Sequence, residues 1–243
     1  MKRAFKNKSW WNNMSANFVG AFLGIVVTFG TTAVIDRHSR KEMARRSELI
    51  AIAHLDNDIM ELEEKFADMR TLDSLYTFVS DRYPDRLGEI DTDTLVRLCI
   101  SMTSPHFFLG NPSAESAFSN SMETWRNFSD LNLLYSINSC FSLKNTILDF
   151  YHTVTEYHAA AFDRAFETQA FDSYSDPEEI VRTYLGNPAT RNFLQIHHMY
   201  SLLLPELTGL LKEENNANKA QTGITDNELH ALFPNIYTDT TER

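Results

Sequence analysis

Apolar positions along this chain recur at helical spacing almost throughout, and one run is apolar without interruption. Phe18 to Ile35 reads FVGAFLGIVVTFGTTAVI, 18 residues without a charge, and as a helix it spans roughly 27 Å of hydrocarbon. Ten of its positions are Phe, Val, Leu or Ile, each favouring insertion by roughly 0.3 to 0.6 kcal/mol at a bilayer centre. The run predicts a transmembrane helix. Behind it, Ile52, Leu55, Ile59, Leu62, Phe66 and Met69 alternate steps of three and four, the spacing of a heptad seam. That seam reads either as a short coiled coil between two copies or as one amphipathic helix packed on its own domain.

Further elements follow from punctuation. Tyr83-Pro84 to Gly88 breaks the long helix, and Asp91 or Thr92 caps the next, over Leu95 to Met102. Ser113 to Trp125 has helical composition and Leu131 to Ile137 is a short apolar run. Ser142 is read as the cap of a long helix reaching about Phe171, with Leu143, Ile147, Phe150 and Tyr151 on its apolar face. Asp176-Pro177 and Asn187-Pro188 each start a helix, and Pro205 is expected to kink or end the second. Asn215 to Gly223 reads as a polar linker, with Asp226 capping one last short helix. Almost nothing alternates with period two. The predicted fold is all-α, a single amino-terminal transmembrane helix continuing into a bundle-like soluble domain. Its divisions are a basic tail over 1–17, the span over 18–35, a basic collar and long amphipathic helix over 36–82, a helical domain over 83–214, and a linker, short helix and tail over 215–243.

Charge sharpens this division. The net charge of -11 hides an asymmetry: residues 1–46 hold nine Lys/Arg against Asp36 and Glu42, or +7, and the rest hold 13 Lys/Arg against 31 Asp/Glu, or -18. So acidic a body argues against nucleic acid as a partner, because phosphate binding needs a basic face. The cluster Arg37, Arg40, Lys41, Arg45 and Arg46 reads as a collar for anionic lipid headgroups. Lys2, Arg3, Lys6 and Lys8 precede the span and Thr31-Thr32-Ala33 offers a small-residue cleavage site, so a signal peptide competes with a retained anchor. The length of the run and the basic flank behind it favour retention. Four basic groups before the span and five after it leave the positive-inside count balanced, and orientation stays open. Within the span, Ala16, Gly20, Gly24, Thr28 and Thr32 recur every four residues, a stripe of small residues on which two such helices pair in lipid.

The stretch LGIVVTFGTTAVIDRHSRKEMARRSELIAIAHLDNDIMELEE, and FSDLNLLYSINSCFSLKNTILDFY with Leu131, Leu133, Leu134, Leu143, Ile147 and Tyr151, resemble an uncharacterised family of small bacterial single-pass membrane proteins. Ser129 stands where that pattern has a turn Gly, and the segment between Leu134 and Leu143 is about four residues longer. The resemblance covers residues 10 to 155. It implies the cytoplasmic membrane of a bacterium as the location and brings no activity with it.

Candidate chemistry is sparse. His152, Glu156 and His158, the pair His54 and Asp58, and His197-His198 are the histidine clusters. Neither Glu-x-x-His nor His-Glu-x-x-His occurs, and no metal or other cofactor is expected. Cys99 and Cys140 lack Cys-x-x-Cys spacing and read as one disulfide or two thiols. There is no Gly-x-Ser-x-Gly, Ser-x-x-Lys or Gly-rich nucleotide loop. Pro105-His106-Phe107-Phe108-Leu109 is an apolar plug for the body or a partner surface. The sequence therefore predicts a membrane-anchored helical protein of interaction, scaffolding or signal relay. Its expected partners are the bilayer, a second copy and an unidentified protein. A membrane-tethered hydrolase or metal enzyme, and a secreted helical protein after signal cleavage, are the alternatives.

Overall fold

The computed structural model describes the backbone of residues 8–103, 115–116, 118, 130–167 and 176–237, and among these the side chains of 35 and of 37 onward. Every regular element among the described residues is helical. α1 runs unbroken over Lys8–Ser80, 73 residues and about 110 Å of helix. A 3₁₀ turn at Leu87–Glu89 follows, then α2 (Thr92–Thr103), α3 (Leu131–Phe166), α4 (Pro177–Gly186), α5 (Pro188–Thr222), α6 (Asp226–Leu232) and α7 (Pro234–Tyr237).

The body is a bundle of three long helices: the carboxy-terminal half of α1, then α3 and α5. Paired side chains give its directions. Asp58 meets Lys144 and Phe66 meets Tyr151, so α1 and α3 run parallel. Glu63 meets Lys212 and Asp73 meets His197 and His198, so α5 returns antiparallel to both. α2, α4 and the 3₁₀ turn close the end near Ser80, while α6 and α7 pack against α1 at the other end.

The seam Ile52, Leu55, Ile59, Leu62, Phe66 and Met69 is buried throughout, inside a core shared with α3 and α5. Each such side chain contributes about 1.5–3 kcal/mol of transfer free energy. The seam is thus spent on the chain's own domain, the second of its two readings.

Four local expectations are corrected. α3 begins at Leu131 rather than behind Ser142, because Asp130 caps it, its Oδ1 accepting from the N–H groups of Asn132 and Leu133. Ser142 lies inside that helix, where its carbonyl accepts the Thr146 hydroxyl. Pro205 does not end α5 but lies within it. A proline there removes the N–H that would bond the Ser201 carbonyl, and Arg70 Nε of α1 donates to that oxygen at 3.4 Å instead. Asn215 to Thr222 is not a linker but the last two turns of α5, with Asn215, Asn218, Lys219 and Thr222 buried. Its polarity is turned inward, onto Asp56 and the Ile52 carbonyl. Gly223 ends it at φ 69°, the left-handed turn that glycine adopts most readily. Last, Thr225 caps α6 through a capping box with Glu228, and Asp226 is its first residue.

The expected starts at Asp91, Asp176 and Asn187 are present: Asp91 Oδ1 accepts from the Thr94 N–H, Asp176 from Glu178 and Asn187 from Ala189. Ser113 to Trp125, the apolar cluster 105–109 and the tail from Thr238 lie largely or wholly outside the described residues.

Candidate functional site

The basic collar is carried on α1. Arg37, Arg40, Lys41, Arg45 and Arg46 are all exposed, and they occupy the helix between the apolar run and Ala44, the first buried residue among those described, or flank that residue. Ala44 lies nine positions past Ile35, about 14 Å along a helix. Arg45 also ties the collar to the body, its Nη2 donating to the Thr222 carbonyl at the end of α5 at 3.0 Å. The stripe Ala16, Gly20, Gly24, Thr28 and Thr32 falls within helical α1, but its side chains lie outside the described residues. Among those described, no helix is long and apolar enough to cross a membrane; the run from Phe18 contributes only Ile35 to them.

Charges lie buried in the half of the bundle nearest the collar. Lys144 is 2% exposed, and its Nζ sits 3.1 Å from Asp58 and 3.4 Å from Glu115. Burial raises the Asp58 carboxyl to about 6, although the Lys144 ammonium pulls it down. Desolvation therefore outweighs the ion pair, as is usual when two charges leave water together. Lys219 is held between Asp56 at 2.7 Å and Asp226 at 2.8 Å. The Tyr237 hydroxyl of α7 lies 3.4 Å from the other Asp56 oxygen, which fastens the carboxy-terminal helices onto α1. Glu48 is buried as well, and desolvation raises its carboxyl against the pull of Arg45.

The half near Ser80 is aromatic instead. Tyr76 packs edge-on to Phe193 and His197, and His158 lies against Phe193 with ring centroids 5.0 Å apart. Asp73 lies 2.9 Å from His198 Nδ1 and 3.4 Å from His197 Nδ1. A cavity of about 440 Å³ opens here between α1, α2, α3 and α5. Lys65, Asp68, Arg97, Tyr151, His158 and His197 are among its lining residues. A second cavity, also about 440 Å³, lies across Asp73 and His198, next to Tyr83 and Arg191.

Of the expected histidine clusters, His197-His198 converges on one partner, Asp73, and the other two separate. His158 enters the first cavity while His152 and Glu156 are exposed. Asp58 turns to Lys144, and His54 is partly buried beside it, its imidazole basicity lowered by desolvation and then by the Lys144 charge. Among the described residues no three His, Cys, Asp or Glu are placed to hold a metal ion. Cys99 and Cys140 are both free thiols. Cys99 lies against the Pro177 carbonyl. Cys140 is buried beside Glu214 and Asn218, and its thiol is pushed up to about 12, mostly by burial.

Lys144 and Lys219 escaped the sequence reading. A signal for the first exists, because Ile137, Cys140, Lys144, Ile147 and Tyr151 step by three and four, placing a lysine inside an apolar seam. Such a lysine must find a carboxylate. No sequence signal brings Lys65, Arg97, His158 and His197 together, since they come from four helices. In comparisons with protein families, curated proteins and solved structures, nothing matches this chain.

Proposed function

We propose that this chain is a bitopic protein of a bacterial cytoplasmic membrane, anchored by Phe18–Ile35, whose acidic helical body serves in interaction, scaffolding or signal relay. One observation carries the reading: α1 passes without a break from the apolar run, through five exposed basic side chains, into the buried seam of the body. A helix that is both anchor and core element transmits a shift or rotation of the span directly to its packing against α3 and α5. The collar attracts anionic headgroups at about 1 kcal/mol per basic residue at the surface, while the -18 of residues 47–243 repels them, so the body stands upright close to the bilayer. The small-residue stripe offers the surface for a second copy, since the seam is taken. Carbonate extraction of membranes carrying the full chain tests the anchor. Retention in the pellet with an intact amino terminus supports it, and release, or a mature mass beginning near Val34, overturns it.

A further inference from the structure

The cavity between α1, α2, α3 and α5 is independent of the anchor, and its lining has a definite chemistry. Its volume of about 440 Å³ falls within the roughly 300–1,000 Å³ of small-molecule sites, and such sites form between the helices of bundles. The floor is aromatic and apolar: Phe193 is tilted against His158 at a centroid distance of 5.0 Å and meets His197 edge-on at 5.5 Å, and Met69 and Val154 are buried beside them. The mouth is different. Lys65 from α1 and Arg97 from α2 both line it and are exposed, and no carboxylate among the described residues lies within ion-pair distance of either. In a chain with 33 Asp/Glu against 22 Lys/Arg, two such cations at one opening make a local positive site.

We infer that this cavity binds a small aromatic monocarboxylate, its ring against Phe193 and His158 and its carboxylate at Lys65 and Arg97. The ring gains offset or edge contacts with these inclined rings. The carboxylate gains charge-assisted hydrogen bonds, which a planar guanidinium gives in pairs. Asp68 is the only carboxylate lining the cavity among the described residues. Lys65, Arg97 and Asp68 together carry +1, which a monocarboxylate neutralises, whereas a phosphate monoester dianion leaves a net negative charge in the cavity and costs more to desolvate.

The test uses the full chain in lipid nanodiscs, with empty nanodiscs as the blank, titrated calorimetrically with 3-phenylpropionate, 3-phenylpropanol and phenyl phosphate. Binding of 3-phenylpropionate at least about tenfold tighter than either of the others is expected, since tenfold is the 1.4 kcal/mol that one charged hydrogen bond supplies. Arg97→Gln and Lys65→Gln should each weaken it about fivefold or more, and both are surface changes that leave the fold intact. Ile100, at 58% exposure, also lines the cavity, so Ile100→Trp should block binding with an unchanged thermal midpoint. Equal binding of acid and alcohol, phenyl phosphate binding as tightly as the acid, no heat above the blank, or indifference to Arg97→Gln or Ile100→Trp would each overturn the assignment.

Discussion

Replacing Lys144 by Met keeps most of the volume of the side chain and removes its charge, leaving Asp58 to face Glu115 with neither neutralised. Lys144 and Asp58 side chains are 2% and 5% exposed, so water does little to compensate. Breaking a buried pair in this way costs about 3–5 kcal/mol. The pH dependence has a definite sign. Asp58 already titrates near 6 in the folded chain against an ordinary 3.8, a gap worth about 3 kcal/mol at 1.36 kcal/mol per pH unit. The native state therefore holds this proton more tightly than the unfolded one. Its contribution to stability is complete below about pH 3.8 and is lost as pH rises through about 6. Without Lys144 the folded value climbs further, so the loss from Lys144→Met should be largest at about pH 7.5 and shrink at about pH 5, where Asp58 is neutral. Urea unfolding of the full chain in nonionic detergent, followed by far-UV circular dichroism at both pH values, measures it. Adding Asp58→Asn should restore most of the stability. A loss under about 1 kcal/mol at the higher pH, or one equal at both, would refute the claim that desolvation dominates this site.

Three further outcomes are expected. Arg70→Leu should cost about 1 kcal/mol in the native sequence and nothing after Pro205→Ala, because alanine returns the N–H to the Ser201 carbonyl that Arg70 now serves; a double-mutant cycle with no coupling contradicts that role. With an alkylating reagent at about pH 8, Cys99, half-buried and its thiol raised by burial, should label slowly, and Cys140 only on unfolding, since thiolate is the reactive form. Equal native rates for the two would place Cys140 outside the core. In the isolated span, Gly20→Ile with Gly24→Ile should abolish self-association in a membrane two-hybrid assay, whereas Val19→Ile with Leu23→Ile should not. Equal signals from the two pairs would remove the stripe as the pairing surface.

The parts of this fold that were legible in the sequence are those written locally. Asp91, Asp176 and Asn187 announce helix starts because a short polar side chain reaches its own second or third N–H, and the seam from Ile52 to Met69 announces a buried face because its period is helical. The errors came where a distant partner changes the meaning of a residue. Pro205 looks like a terminator until Arg70, 135 positions earlier, supplies its missing donor. Asn215 to Thr222 looks like a solvated linker until Asp56 and Ile52 receive its side chains. The cavity was invisible for the same reason, as its two cations and two imidazoles come from four helices that only packing brings together. The collar was legible as charge but not as geometry, since its place within one unbroken helix appears only when the body is seen to begin at Ala44.

The central claim is that one continuous helix leaves the bilayer at the collar and becomes part of the body's core. A single-cysteine spin-label scan of residues 16 to 47 of the full chain, reconstituted in lipid, tests it most directly. The account predicts high oxygen and low water accessibility from Phe18 to Ile35, a change to water accessibility at Arg37, and a helical period that continues in phase through Ser47, where the protected face is the one carrying Ala44 and Glu48. Water accessibility across Phe18–Ile35, or a loss of that period between Asp36 and Met43, would contradict it.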